Sequence, residues 1–288
     1  MRFEDVKKIA VIGSGAMGSQ IAMVCALGGY TVVLHDISDE NLETAKEKLV
    51  AQMERRIQKG TYSQNEVNNA FTNIMFSSDF GKLEDVDFVI EAIIENIDVK
   101  RELFLKLDEV TPKHAILATN SSTIVSSKLA DVTNRPEKVC NIHFFNPALS
   151  MELVEVVRGP HTSEETADIA VDVIKQIRKV PVLLKKEIFG FIANRILGKI
   201  IDEAIYLLEE GIASHEDIDL VCKKALNHPI GPFSIMDLTG LDVNYLVRMQ
   251  RYKESGESTD LPSNIVKEKV EKGELGRKTG KGFYSYIN

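Results

Sequence analysis

Short apolar runs alternate with longer amphipathic segments over the first two thirds of the chain. The runs at 8–12, 31–35, 72–76, 86–90, 115–119, 139–144, 151–157 and 180–184 predict strands. Helix-period patterns fill most of the gaps, including 15–28, 38–59, 97–109 and 164–178. Strand–helix alternation of this kind predicts a doubly wound, mostly parallel sheet in an α/β domain. The segment 38–59 exceeds an ordinary crossover. Ser38 is its candidate N-cap, acids occupy its first turn and bases its last, so it predicts a helix protruding beyond the sheet.

After about residue 188 the strand signals stop. Residues 191–208 form one long apolar-periodic pattern, and Ser214-His-Glu-Asp217 fits a capping box that opens another helix. Asn227-His-Pro-Ile-Gly-Pro232 reads as a loop, followed by helical patterns near 233–250 and 261–272. The expected division is therefore a sheet domain over 1–187 and an all-helical C-terminal domain over 188–288. Ile196, Ile200, Ala204, Leu207 and Leu208 fall on one helix face, which serves either a core or a subunit interface.

The join between the first strand and helix carries the strongest chemical signal. Lys8-Ile-Ala-Val-Ile-Gly13-Ser-Gly15-Ala16-Met17-Gly18 places three glycines at G-x-G-x-x-G spacing between an apolar strand and a helix. Gly13 permits a tight turn, Gly15 lets the backbone approach a pyrophosphate, and Gly18 lets helix and strand pack closely. The helix N-terminus adds free N–H groups and a positive dipole end. Asp36 ends the next strand, near the expected spacing of about 20 residues, where a carboxylate bonds a ribose 2′-hydroxyl and repels a 2′-phosphate. The pattern predicts a Rossmann-type domain that binds NAD in preference to NADP. A glycine turn for S-adenosylmethionine or flavin is the other reading.

Bulk numbers narrow the class. The chain has 288 residues, 44% hydrophobic and 27% charged, and a formal net charge of −8. That argues against nucleic acid as a partner. Neither a secretory signal core nor an apolar run of about 18 residues is present, so a cytoplasmic protein with no membrane span is expected. Cys25, Cys140 and Cys222 are far apart and set among apolar residues, as buried reduced thiols would be.

His143-Phe-Phe-Asn146-Pro147 and Leu153-Val-Glu155 flank a Pro-containing turn. If they form a hairpin centred near Leu149, positions 143 and 155 lie opposite one another, about 5 Å apart at Cβ. A carboxylate on one imidazole nitrogen makes the other a general base. A structural hydrogen bond at a strand end is the alternative. Thr119-Asn-Ser121-Ser122 follows a strand at its carboxyl end, where ligands of open α/β sheets bind, although such runs also cap helices. Asn194, inside the long helix, faces either solvent or a cleft. Glu91, Glu95 and Lys100 lie where the second half of a dinucleotide would run.

Together these stretches resemble the L-3-hydroxyacyl-CoA dehydrogenase family, most closely its short bacterial 3-hydroxybutyryl-CoA members. The similarity rests on V-I-G-S-G-A-M-G-S at 11–19, E-A-I-I-E-N at 91–96, T-N-S-S at 119–122, H-F-F-N-P at 143–147, L-V-E-V-V at 153–157, G-F-I-A-N-R at 190–195, N-H-P-I-G-P at 227–232 and G-R-K-T-G-K-G-F-Y at 276–284. The resemblance implies that His143 is the base, that Glu155 orients it, and that Ser122 and Asn194 touch the substrate's β-oxygen. It implies cofactor contacts at Asp36, Glu95, Lys100, Asn146 and Lys278, and a loose counterpart at Lys59 of a lysine that assists the coenzyme A phosphates. It implies a substrate cleft between the two domains and a homodimer formed through the helical half. Phe189 stands where relatives usually have Pro, and Ser150 where an apolar residue is usual. With no hydratase-like stretch in residues 1–288, a stand-alone dehydrogenase rather than a fused multifunctional enzyme is expected.

The expected activity is reversible NAD-dependent oxidation of a short 3-hydroxyacyl-CoA to the 3-oxoacyl-CoA. A relative that oxidises a free sugar acid such as gulonate is the near rival. A non-catalytic NAD-binding protein is the distant one, disfavoured by a paired base that binding alone does not need.

Overall fold

A computed structural model describes residues 2–286; Met1, Ile287 and Asn288, at the outer limits of the two expected domains, lie outside the described residues. The chain forms two compact units, the first ending at Phe191 and the second beginning at Ile192.

In the first unit, β1 (Lys8–Ile12), β2 (Thr31–His35), β3 (Ile74–Ser77), β4 (Phe88–Glu91), β5 (Ile116–Thr119), β6 (Val139–Phe144), β7 (Leu153–Val157) and β8 (Val180–Leu184) make one sheet in the order β3-β2-β1-β4-β5-β6-β7-β8. Pairing is parallel from β3 to β6 and antiparallel between β6 and β7. β8 then runs parallel to β7. Central strands are buried on both faces, which is why their sequences read as unbroken apolar runs rather than as alternation. Period-two geometry divides β1: Ile9 and Val11 pack with α1 (Ala16–Leu27) and α6 (Glu164–Gln176), while Ala10 and Ile12 pack with α4 (Ile97–Val110).

The long early helix, α2 (Asp39–Gln58), is capped by the Ser38 hydroxyl and buries Leu42, Ala45, Leu49 and Met53 along one stripe. A further helix, α3 (Gln64–Thr72), precedes β3, held by a capping box between Ser63 and Glu66. Its Asn-rich sequence offers few apolar positions, so periodicity alone does not mark it.

The second unit holds α7 (Ala193–Glu209), α8 (His215–Lys224), α9 (Pro232–Thr239), α10 (Leu241–Ser255) and α11 (Asn264–Glu271). The expected single pattern near 233–250 is in fact two helices. Gly240, at φ +104°, breaks it in a conformation that side-chain-bearing residues rarely adopt. The apolar stripe of α7 also divides. Ala204 is buried in the core with Ile201 and Ile205, whereas Ile196 stays 58% exposed. Two buried carboxylates fasten the C-terminal tail. Asp219 accepts Phe233 N–H and the Tyr284 hydroxyl, and Asp237 accepts Phe283 N–H, Tyr284 N–H and the Tyr286 hydroxyl, at 2.8–3.0 Å. Among the described residues no helix is long and apolar enough to cross a membrane.

One buried ion pair braces the sheet unit away from the site. Asp108 Oδ1 accepts Arg135 Nε at 2.7 Å, and the same guanidinium donates to the Thr111 and Asp108 carbonyls at the end of α4. Burial pushes the Asp108 carboxyl up, but hydrogen bonds from Asn134 and Arg135 and the Arg135 charge outweigh it and hold it below the usual carboxylate range. The unfolded chain therefore takes up this proton first as pH falls. D108N should cost about 3–5 kcal/mol at neutral pH because it leaves a buried cation unpaired. The stability gap between wild type and D108N, read from urea unfolding, should close as pH drops below the ordinary Asp value of about 3.9.

Candidate active site

The turn from β1 into α1 is built around glycine. Gly13 sits at φ +98°, and a Cβ there would lie 2.7 Å from the Ala92 carbonyl oxygen. At Gly18 a Cβ would lie 1.8 Å from the Gly13 carbonyl oxygen, so helix and turn touch backbone to backbone. A Cβ on Gly15, which caps α1, would meet nothing within 4 Å, so the backbone here is open to a ligand. Ala16, Met17 and Gly18 form the first turn of α1, which carries no charged side chain to compete for its N–H groups.

Asp36 lies just past β2. Its carboxylate accepts Ser14 N–H and Oγ at 2.8 Å, Ser38 N–H at 3.1 Å and Asn41 Nδ2 at 3.3 Å. Burial raises its pKa, but those bonds win and hold it below the usual carboxylate range. The carboxylate therefore stays charged and fixed at the mouth of a groove of about 870 Å³. Gly13, Gly15, Ile37, Ala92, Ile94 and Val99 line that groove. Ile37 is 93% exposed, an apolar side chain that a flat aromatic base would cover. An open glycine backbone, a helix N-terminus, a fixed carboxylate and an apolar slot fit a dinucleotide.

The hairpin places the expected base. β6 and β7 pair with His143 directly opposite Glu155. His143 Nδ1 lies 2.8 Å from Glu155 Oε2, and both residues are buried. With Nδ1–H donating to the carboxylate, Nε2 keeps its lone pair. Phe145 and Phe191 confine the ring at centroid distances of 4.5 and 5.5 Å. Phe191 holds φ +50° to do so, following Gly190 at +73°, so the turn at the Phe189 departure is left-handed. Asn146 precedes Pro147 in the hairpin turn, and Leu149 N–H is received by Gln20 of α1. Ser150, the other departure, accepts Arg56 Nη2 at 2.8 Å, so an arginine of α2 takes up the hydroxyl found there.

Glu91, Glu95 and Lys100 form a network. Lys100 is buried, its Nζ 2.5 Å from Glu91 Oε1 and 3.3 Å from Glu95 Oε2. Glu91, fully buried, also accepts Thr119 Oγ1 and Ile93 N–H. Glu95 receives the Ser121 hydroxyl and, at 2.6 Å, Thr123 Oγ1. Burial raises the Glu95 pKa, while the Lys100 charge and the two hydroxyls outweigh it and hold it low. Lys100 thus spends its charge on two acids of its own unit, and Glu95 is its partly exposed end. Ser122, next to Ser121, is half-buried.

Three further expected site residues take places of their own. Lys59 is the C-cap of α2. Asn194 is exposed in the first turn of α7 in the second unit. Lys278, in the same unit, pairs with Asp242 at 2.5 and 2.7 Å. Sequence reasoning did not single out Ser14, Gln20 or Asn120 as supports. Their only signal was position beside the glycine turn or at a strand end.

Residues 8–188 match the 3-hydroxyacyl-CoA dehydrogenase NAD binding domain, and residues 190–286 match the 3-hydroxyacyl-CoA dehydrogenase C-terminal domain. The chain belongs to the 3-hydroxyacyl-CoA dehydrogenase family. It is 40% identical over 282 residues to a probable 3-hydroxybutyryl-CoA dehydrogenase of Bacillus subtilis, covering 98% of each chain. It is 37% identical to a 3-hydroxybutyryl-CoA dehydrogenase of Clostridioides difficile, covering 97% of this chain and 99% of that one. The crystal structure of (S)-3-hydroxybutyryl-CoA dehydrogenase from Ralstonia eutropha superposes with a TM-score of 0.93 at 37% identity, over 99% of this chain and 100% of that one. The expected family, fold class and NAD cofactor are borne out.

In this dehydrogenase, replacing Asp36 removes the fixed carboxylate that lines the groove, where a ribose 2′-hydroxyl is the expected partner. D36A should lower kcat/KM for NADH roughly tenfold to a hundredfold, since hydrogen bonds to charged groups are worth about 1.5–3 kcal/mol. It should raise kcat/KM for NADPH. Steady-state kinetics with both cofactors checks the pair of changes.

Proposed function

We propose that the chain catalyses reversible oxidation of short-chain (S)-3-hydroxyacyl-CoA thioesters, 3-hydroxybutyryl-CoA to acetoacetyl-CoA, as a cytoplasmic homodimer. The observation that carries the reading is the buried 2.8 Å contact between His143 Nδ1 and Glu155 Oε2, in the unit that holds the dinucleotide cradle. Bound NAD supplies the hydride acceptor.

The chain's own residues handle the proton. His143 Nε2 takes it from the β-hydroxyl as the C–H bond gives up its electron pair and the C=O bond forms. Glu155 stabilises the resulting imidazolium and keeps the ring from turning. In reduction the imidazolium returns the proton to the β-oxygen. Phe145 and Phe191 exclude water from the ring, which strengthens its attraction to Glu155. Ser122 and Asn194 hydrogen-bond the β-oxygen, and Asn146, Glu95, Lys100 and Lys278 serve the cofactor. Glu95 acts there with its charge already balanced by Lys100. Lys59, at the basic end of α2 with Arg55 and Arg56, meets coenzyme A phosphate against the net negative field of the chain.

The homodimer reading draws on the second unit. Ile196, Ile200, Leu207, Val221 and Leu226 line an apolar groove of about 580 Å³ between α7 and α8. Ile196, Val221 and Leu226 are more than half exposed, as a face awaiting a second copy would be.

H143A should lower kcat for acetoacetyl-CoA reduction about 10²- to 10⁴-fold while NADH still binds, as read by fluorescence titration. E155Q, which keeps the shape and removes the charge, should lower kcat with little change in KM. Wild-type turnover of free 3-hydroxy acids at the thioester rate would overturn the coenzyme A assignment, and an unaltered H143A rate would overturn the base.

A further inference from the structure

Asn141 lies inside β6, two residues before His143, and is fully buried. Side chains two apart on a strand share a face. The amide and the imidazole therefore project from the same side of the same strand. Asn141 Oδ1 accepts Ser126 N–H at 2.7 Å. Its Nδ2 donates to the Ile124 carbonyl at 3.0 Å and, over a longer 3.4 Å, to the Ser121 carbonyl. All three partners belong to the segment that carries Ser122.

That segment joins the end of β5 at Thr119 to the short helix α5 (Ser127–Ala130). It has little regular structure of its own to hold it. Its near end is pinned by Asn120, whose Oδ1 accepts the N–H of Phe144, the residue after His143. Its middle is tied by Ser121, whose Oγ receives the N–H groups of Thr123 and Ile124. Ser122 takes no part in these bonds, so its place is set by its neighbours.

We propose that Asn141 is a positioning residue, through which β6 sets the separation of the Ser122 hydroxyl from the His143 ring. The proposal rests on the roles given above to Ser122 and His143. A donor and a base that serve one oxygen must be held to within about 0.5 Å, and a misplacement of about 1 Å costs on the order of a hundredfold in rate. An apolar side chain could fill the space but would leave a buried N–H and two carbonyls without partners. An aspartate could accept but not donate. Asparagine is the smallest side chain that does both.

The test is a double-mutant cycle on the full chain, measured with acetoacetyl-CoA and NADH. N141A should lower kcat about tenfold to a hundredfold and leave KM for NADH within about twofold. The doubly substituted N141A/S122A should be no slower than S122A beyond about twofold, because Asn141 acts through Ser122. Effects that multiply in full, or an N141A rate equal to wild type, would overturn the positioning role while leaving the serine assignment standing. An S122A rate equal to wild type would remove the serine assignment and the proposal together, while the H143A result still speaks for the base. Should N141A fail to fold, N141D keeps the shape and the acceptor for Ser126 N–H, loses the two donors, and enters the same cycle with the same expectations.

Discussion

Antiparallel pairing of β6 with β7 is the constraint on which the site depends. Strands from β3 to β6 in the sheet order run one way, and a strand added in that sense could not bring Glu155 opposite His143 after so short a connection. Reversal through the Asn146-Pro147 turn does so directly. The register is strict because side chains alternate faces: a slip of one residue would turn Glu155 away and present Val154 or Val156 instead. Both valines are fully buried on the opposite face, so the apolar core itself enforces the alignment of the polar pair.

Charge is handled throughout the sheet unit by the same device. Lys100 is shared between Glu91 and Glu95, Arg135 is taken up by Asp108 and backbone carbonyls, and Asp36 is met by two N–H groups, a hydroxyl and an amide. Each buried ion has hydrogen bonds as well as a countercharge or dipole, which is the condition under which burial of charge is tolerated. Exposed apolar side chains such as Ile37 and Ile94 stand beside these satisfied ions. A flat ligand therefore finds uncovered carbon surface next to polar groups already fixed in place.

Much of this was legible in the sequence, for physical reasons. Buried strands read as apolar runs, and the glycine spacing reports backbone contacts that no Cβ would allow, most sharply at Gly18. The His143–Glu155 contact followed from counting along a hairpin. Other features depend on contacts between residues far apart in the chain. Lys100 was expected beside a cofactor, yet nothing local says that its ammonium is buried between two acids. Arg56 and Ser150 meet across 94 positions, and Asn141 reaches a loop 15 to 20 residues earlier. The helix pattern over 233–250 runs on through Gly240 because apolar spacing persists across the break, while the backbone angle that ends the helix leaves no mark in periodicity. The departure at Ser150 was visible as an oddity, and its partner on α2 was not.

Phe191 has a consequence for dissecting the molecule. It is the last residue of the sheet unit and also an aromatic wall of the imidazole pocket, whereas the strand patterns end with β8 at Leu184. A fragment cut after residue 187 would keep every strand and the whole glycine turn, yet it would strip one wall from the ring. Such an excised piece retains the glycine turn and Asp36 while its imidazole loses one of two aromatic neighbours, so under the role proposed for His143 affinity for the nucleotide and competence in proton transfer would separate at a cut only four residues short.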